Sequence, residues 1–409
     1  MPNTPPALPH SASYRRALVL LLLGTVIVHT TMFLSKPVVS YRVLALGGGE
    51  HEVGLVSAAS SLLPIFFAIP MGRWSDRGRV PVLLLGGTVA LVAGPIGLGH
   101  AGTILGVALV NAAYGAGLLA LMVGGQSVVA GLSGPGERDR NFGLFTAAAS
   151  LGQMLGPLAG GWAMSFAEGE SRLQATTRAF TAGAAIALGV AVAFGAMVWV
   201  LRGTAALASS THGTNERAGH GSALALLADR QLAVAVFVSF AFIASVDLLI
   251  AYLPVLGEHY GLSPAFVGAL LALRAGCSFI SRVFLGVLVR WGGRLTVIII
   301  SAGVAAVTMV GLVLFSHPVL LAVVMVLLGL TLGLGQPLTM TWVVEQAPQR
   351  LRATALALRI TGNRVAQSAA PAAAGGLSSL VGIAGPFVLA TALLGAAATT
   401  VLPFRRRAR

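Results

Sequence analysis

A carboxylate inside a long apolar run is the first place to look for chemistry. An ionised side chain at the centre of a hydrocarbon layer costs about 2.5 to 3.5 kcal/mol on insertion scales and is retained where it has work to do. Asp247 stands in such a run, AVAVFVSFAFIASVDLLIAYLPVL, nine residues before its end at 256, and Arg274 stands ten residues into the next run, which opens at 264. At 1.5 Å per helical residue both fall roughly 14 to 15 Å from the same surface, within pairing reach near the midplane. Two roles are open to them. They form a structural ion pair that makes two buried charges tolerable, or Asp247 binds a proton or a cationic substrate while Arg274 sets its proton affinity. His29 is the other intramembrane group that titrates at useful pH. It joins Asp247 and Arg274 as a candidate for proton coupling, with a hydrogen-bonded packing role as its alternative. Lys36, the only lysine, stands close to the end of the first run and is expected to snorkel to water.

A second polar set lies near the C-terminus. Arg359, Asn363, Arg364 and Gln367 recur at about one helical turn in an Ala-rich run, so one face of that helix must look toward a cavity or a neighbouring helix. An anionic or metal-chelating molecule can dock on such a face, and a charge network closing one side of the membrane fits it equally. Arg282 is open to either role. Gln336 in the preceding run, and Asn111 and Tyr114 in NAAYGAG, complete the candidate cavity lining; the tyrosine offers a stacking face and a hydroxyl, or simply packs.

The elements that must position these groups follow from composition. The chain has 409 residues, 56% hydrophobic and 9% charged, with mean hydropathy +0.88. Soluble domains carry about 25% charged residues, so this is a membrane protein. Twelve apolar spans can be drawn, near 17–38, 53–72, 80–99, 103–130, 142–165, 178–201, 231–256, 264–288, 295–316, 318–342, 353–378 and 384–403. Each approaches the roughly 20 residues that cross a bilayer as a helix, and only helices or closed barrels satisfy their own backbone in lipid. No alternating barrel pattern is present. With the N-terminus inside, 18 arginines fall in cytoplasmic segments and only Arg42, Arg172 and Arg178 on the opposite side, so both termini are expected in the cytoplasm. This topology accounts for the net charge of +14 through anionic lipid, without a nucleic-acid partner. Trp74, Trp199, Trp291 and Trp342 fall at cytoplasmic helix ends, where interfacial anchors belong. The single cysteine, Cys277, is read as a small buried apolar side chain.

Residues 202–230 form the one long polar break and read as a flexible cytoplasmic linker between six-span halves at 17–201 and 231–404, flanked by tails at 1–16 and 405–409. The halves align at a shift of 214 residues. Gly54 then falls on Gly268, Gly72 on Gly286, Gly115 on Gly329, Arg138 on Arg352, Gln153 on Gln367 and Pro157 on Pro371. Parallel repeats of six spans are a construction of secondary transporters. The expected fold is therefore an all-α polytopic membrane protein, twelve transmembrane helices in two pseudo-symmetric six-helix bundles.

The fifth span, GLFTAAASLGQMLGPLAGG, carries Gly143, Gly152, Gly156, Pro157, Gly160 and Gly161. Glycines every four residues leave a stripe on which another helix approaches closely, and Pro157 bends the helix beside it. A bare, bent strip suits a helix that packs against, and slides along, the opposite half; ordinary small-residue packing is the alternative for any one of these glycines.

Over nearly its whole length the chain resembles the major facilitator superfamily. GRWSDRGRV, Gly72 to Val80, is similar to that family's loop signature, with one residue deleted between Arg77 and Gly78, and WGGR at 291–294 to its degenerate second copy. The resemblance implies alternating access around a cavity between the halves, and gating by Gly72, Asp76, Arg77 and Arg79. A carboxylate at Asp76 has a physical route to that role, since it would meet the positive end of the eleventh span's helix dipole. The glycine and proline spacing of the fifth span resembles the signature of the family's drug and metabolite antiporters, which implies export in exchange for protons. The chain departs from that group in the fourth span, where Asn111 and Tyr114 occupy places the group gives to an arginine and a Gln-Gly pair.

A membrane-embedded enzyme would need an HExxH motif, a nucleophile with its base, or clustered metal ligands. No HExxH occurs and the polar segments are too short for a catalytic domain, so no cofactor or metal is expected. The expected partners are a small organic molecule such as a drug or siderophore, protons and the lipid bilayer, with the chain a monomer in a bacterial inner membrane.

Overall fold

A computed structural model of the chain describes residues 12–134, 137–165, 171–201 and 226–407. The expected linker at 202–230 lies almost wholly outside the described residues, as does most of the N-terminal tail and the end of the basic tail. Twelve long helices follow one another: α1 Ala12–Ala45, α2 Glu50–Asp76, α3 Val80–His100, α4 Ile104–Leu132, α5 Arg138–Ser165, α6 Arg172–Val200, α7 Arg230–His259, α8 Pro264–Val283, α9 Arg294–Leu314, α10 Pro318–Gln346, α11 Arg352–Val381 and α12 Gly385–Arg407. The all-helical fold expected from the sequence is the fold observed. The eighth span is broken within its drawn limits: α8 stops at Val283, Phe284 interrupts it at φ −87, ψ 1, and a short helix resumes over Leu285–Gly292.

Several helix starts carry side chains that satisfy their unpaired N–H groups. Asp229 accepts from the backbone N–H groups of Gln231 and Leu232 at the start of α7. Ser263 accepts from Phe266 N–H at the start of α8, with Pro264 at the first helical position, where a missing N–H costs nothing. Ser171 and Gln174 cap α6 reciprocally. Between α11 and α12 the chain is apolar and helical almost without a break from Thr354 to Arg405. Gly382, at φ +65, makes the turn that divides it, a conformation that side chains with a Cβ rarely adopt.

Helices α1 to α6 pack on one another and α7 to α12 do the same, and the two sets meet where α5 lies on α8, α2 on α11 and α1 on α7. The internal repeat is visible in these contacts. Gly54 of α2 lies against the backbone of Pro371 and Gly375 of α11, and Gly268 of α8 against the backbone of Pro157 and Gly161 of α5. All three residues correspond at the shift of 214. The same shift relates Gly115, seated on the carbonyl of Ser60, to Gly329, seated on that of Arg274. It also relates the turns at Gly47, φ +83, and Gly261, φ +67. At Gly78, φ +73, and Gly293, φ +72, the spacing becomes 215, the single deleted residue of the first loop.

The stripe on α5 has a different partner from the one expected. A Cβ at Gly152 would come 2.5 Å from the Val26 carbonyl, one at Gly156 2.6 Å from that of Thr30, and one at Gly160 3.3 Å from Leu34. All three face α1 of the same half. Contact with the other half is made by the adjacent face, through Pro157 and Gly161, because each follows a stripe glycine by one residue, which turns its direction about 100° around the helix toward α8. Gly143 meets nothing within 4 Å. Of the four anchoring tryptophans, Trp74, Trp199 and Trp291 are exposed as expected, but Trp342 is 2% exposed and stacks edge-on to Phe404. Cys277 is buried.

Gly156→Leu should lower the apparent Tm of the purified protein, since a branched side chain driven into α1 backbone costs about 1 to 3 kcal/mol. Gly143→Leu should leave it unchanged, as measured by thermal unfolding in detergent.

Candidate functional site

A cavity of about 790 Å³, its mouth included, opens between the halves. Helices α1, α2 and α4 form one wall and α7 and α11 the other. From the first come Lys36 and a group of hydroxyls, Ser35, Ser57, Ser60, Ser61 and Tyr114; from the second come Asp247, Arg364 and Gln367. The remaining lining is apolar, including Met32, Leu119, Met122 and Ile250.

The central contact is an ion pair between the halves. Lys36 Nζ donates to Asp247 Oδ1 at 2.7 Å, with side chains 28% and 11% exposed. Lys36 also lies 5.5 Å from the centroid of the Phe33 ring. Asp247 Oδ2 is buried without a hydrogen-bond partner. The sequence placed Lys36 near the membrane surface because the first apolar run ends at 38, but α1 continues to Ala45. Nine further residues of helix put Lys36 about 14 Å below that end, where the membrane surface is beyond its reach and a carboxylate is the available partner. The structure therefore pairs Asp247 with Lys36 and not with Arg274. Arg274 is 4% exposed, its Nε has no hydrogen-bond partner, and its backbone is crowded by Gly329. It is close enough to Asp247 to interact electrostatically.

His29 lies outside this cavity. Its Nδ1 is 2.9 Å from the Thr25 carbonyl, it is 6% exposed, and its Cβ faces Gly152, so it occupies the α1–α5 seam as a packing residue. Asn111 and Tyr114 do line the cavity, but Asn111 spends its amide on the Val56 carbonyl at 2.8 Å, tying α4 to α2. Tyr114 is 4% exposed with its hydroxyl buried and unpartnered.

The polar face of α11 divides into two. Arg364 Nη1 donates to Gln367 Oε1 at 3.1 Å at the cavity wall. Arg359, Asn363 and Gln336 do not line the cavity. Arg359 donates to Gln336 Oε1 at 2.6 Å and to its carbonyl at 2.9 Å, Asn363 donates to Gln336 Oε1 at 3.1 Å, and Ser239 donates to Asn363 Oδ1 at 2.9 Å. That network is internally satisfied and joins α7, α10 and α11. Arg282 donates to the Gly333 carbonyl at 3.0 Å and across the halves to Ser150 Oγ at 3.3 Å.

The two ends of the molecule differ. Where α2 and α8 begin, the halves touch through the glycine contacts above. Tyr252 donates across the halves to the Glu50 carbonyl and within its own half to that of Pro371, Ser40 donates to the Ala251 carbonyl at 2.7 Å, and Arg172 pairs with Glu258 at 2.9 Å. At the other end, Gly72 and Gly286 meet nothing within 4 Å, and Asp76, Arg77 and Arg79 are exposed. Among the described residues, no hydrogen bond or ion pair joins Asp76 to the start of α11, so the expected dipole contact is unmade in this arrangement.

Two helical bundles closed at one end around a shared cavity define a membrane transporter of the two-bundle class. A family model described as the Major Facilitator Superfamily matches residues 21–355 and 232–409. The chain belongs to that superfamily. No curated protein matches its sequence. Solved structures similar in fold include the nucleoside transporter NupG, at 12% identity and TM-score 0.75 over 97% of this chain and 99% of that one. A D-xylose-proton symporter is similar at 15% identity and TM-score 0.74, over 95% and 97%. A bacterial homologue of the human lysosomal transporter Spinster, inward-facing and unoccupied, gives 15% identity and TM-score 0.72 over 97% and 96%. At these identities the likeness is one of fold.

Removing one member of a buried ion pair leaves the other uncompensated, whereas removing both does not. Lys36→Met and Asp247→Asn should each lower the apparent Tm, and the double variant should recover part of the loss, a coupling of about 0.5 to 3 kcal/mol.

Proposed function

We propose that this transporter exports a small organic molecule from a bacterial cytoplasm across the inner membrane in exchange for protons. The observation that carries the reading is the Lys36–Asp247 pair, which crosses from one half to the other inside the cavity. A proton taken up by Asp247 removes the charge that holds Lys36, and so loosens a bond between the two bodies that alternating access must separate. A substrate that competes for either partner does the same. Proton and substrate thus act on one contact from opposite sides of the cycle, which is the requirement for exchange.

Orientation supports export from the cytoplasm. The arginine asymmetry of the sequence puts the end carrying Gly72–Val80 inside, and that is the end at which the halves lack the glycine contacts. The arrangement described is then inward-facing, with the cavity available to cytoplasmic substrate. In this reading residues 17–201 and 231–404 move as two bodies, joined by the linker at 202–230. Asp76 meets the start of α11 only when the inner end closes. The spacing of Gly143, Gly152, Gly156, Pro157, Gly160 and Gly161 supports the antiporter assignment through its resemblance to that group's signature. Here α1 rides on α5 as a unit while Pro157 and Gly161 form the bearing on α8. The molecule is read as a monomer.

The test is made in proteoliposomes loaded with a pH-sensitive dye. A drug and siderophore panel added to wild-type vesicles under an imposed pH gradient should release protons against substrate movement. Asp247→Asn should abolish that proton release while still exchanging labelled substrate for unlabelled. Proton release from Asp247→Asn vesicles at the wild-type rate would remove Asp247 from coupling, and co-directional movement of substrate and protons would assign import.

A further inference from the structure

We propose that the substrate is an amphipathic organic anion, and that its negative group binds between Lys36 and Arg364 in place of the Asp247 carboxylate. The proposal rests on reading this cavity as the transport site. It starts from the charge inside the molecule. Of the twelve acidic residues in the sequence, Asp247 alone lines the cavity among the described residues. Two cations, Lys36 and Arg364, line it with Asp247, and a third, Arg274, is buried close to the same carboxylate. One carboxylate therefore serves three cations, and in the arrangement described it is committed to Lys36 through a single oxygen.

The unsatisfied atoms show where the balance fails. Arg274 Nε has no hydrogen-bond partner, and neither has Asp247 Oδ2. Arg364 has Gln367 for one donor and lines the cavity. An uncompensated buried cation is costly, and guanidinium is suited to bidentate recognition of a carboxylate or phosphate. A cationic substrate would have to strip Asp247 from Lys36, leaving Lys36, Arg364 and Arg274 without an acid. An anion has the opposite effect. It supplies Lys36 and Arg364 with a counter-charge and frees Asp247 to turn to Arg274 on the neighbouring helix of its own half. Binding then replaces an ion pair between the halves by one within a half, so the substrate itself releases the contact that holds the two bodies.

The rest of the wall fits the apolar part of such a molecule. Met32, Leu119, Met122 and Ile250 offer an adaptable surface, and the serine group on α2 offers hydroxyls for its polar substituents.

The experiment compares three probes that share one aromatic body: 2-naphthoate, 2-naphthylmethanol and 2-naphthylmethylammonium. Binding to the purified full-length protein is measured by equilibrium dialysis without any gradient, so the result is independent of whether transport is coupled to protons. Naphthoate should bind more tightly than the alcohol, and the ammonium should not bind. Arg364→Gln should weaken naphthoate binding by about tenfold or more, the loss of one charge-assisted hydrogen bond. Arg364→Lys should retain part of it. Asp247→Asn should strengthen binding, because it removes the competing carboxylate. The neutral double variant K36Q/D247N, which leaves no charge of the pair unpaired, should lose affinity relative to D247N. Binding of the ammonium as tight as that of naphthoate, no binding of naphthoate, or naphthoate binding indifferent to Arg364→Gln would overturn the proposal. Anion binding without any proton movement in the vesicle assay would instead overturn the exchange reading and leave this one standing.

Discussion

The organisation of this molecule depends on how few negative charges it places inside a layer that tolerates charge poorly. Burying an ion in a low-dielectric medium costs several kcal/mol even after relaxation, and a partner of opposite sign offsets that cost only at close range. Around the cavity there is, among the described residues, one carboxylate, Asp247, and it reaches Lys36 across the boundary between the halves. The other interior arginines are held differently. Arg282 and Arg359 are satisfied by carbonyls, hydroxyls and an amide, so their charge is hydrogen-bonded but not neutralised. Both halves contribute to the one close charge pair at the cavity among the described residues, so any separation of the halves there would break it.

That pair would have little meaning without a surface on which the halves can pivot. Two symmetry-related seams supply it, Gly54 against Pro371 and Gly375, and Gly268 against Pro157 and Gly161. In each, a helix without a side chain at the contact lies on the carbonyl of a proline in the facing helix. Small residues at such a seam leave no interlocking side chains to resist tilting, while dispersion between close backbones still holds the surfaces together. Both seams lie at the same end of the bundle, and the loop end, with Asp76, Arg77 and Arg79 exposed, has nothing comparable. That asymmetry between the ends is what the proposed rocking would leave in one of its states.

Much of this was legible in the residues. Apolar run length gave the helices, since lipid leaves the backbone no other partner, and the shift of 214 survived as contacts between corresponding atoms at Gly54 and Gly268, and at Gly115 and Gly329. Side-chain direction was less legible. Lys36 was misplaced because an apolar run measures hydrocarbon thickness, whereas α1 runs past it to Ala45 inside the protein; the only lysine of the chain standing in a helix was the available signal. The partner of the Gly152, Gly156 and Gly160 stripe could not be read either, because four-residue spacing defines a face and not what lies on it. Gln336, Arg359 and Asn363 looked like cavity lining because a polar helix face must turn away from lipid, but three polar side chains can satisfy one another, and here they do. Trp342 shows the same limit: at the end of a span an indole serves as an anchor or as packing for Phe404, and only the neighbouring helix decides.

The central claim is that the two halves move against each other about these seams, opening one end as the other closes. It is tested most directly by pulsed electron paramagnetic resonance on Cys277→Ser protein, with spin labels introduced at Arg77 and Arg290 at one end and, separately, at Gly102 and Ser316 at the other. Both pairs span the two halves, and all four positions are exposed. On lowering the pH, or on replacing Asp247 by Asn, the account predicts that the two distances change in opposite directions. Distances that stay fixed, or that lengthen together at both ends, would contradict it.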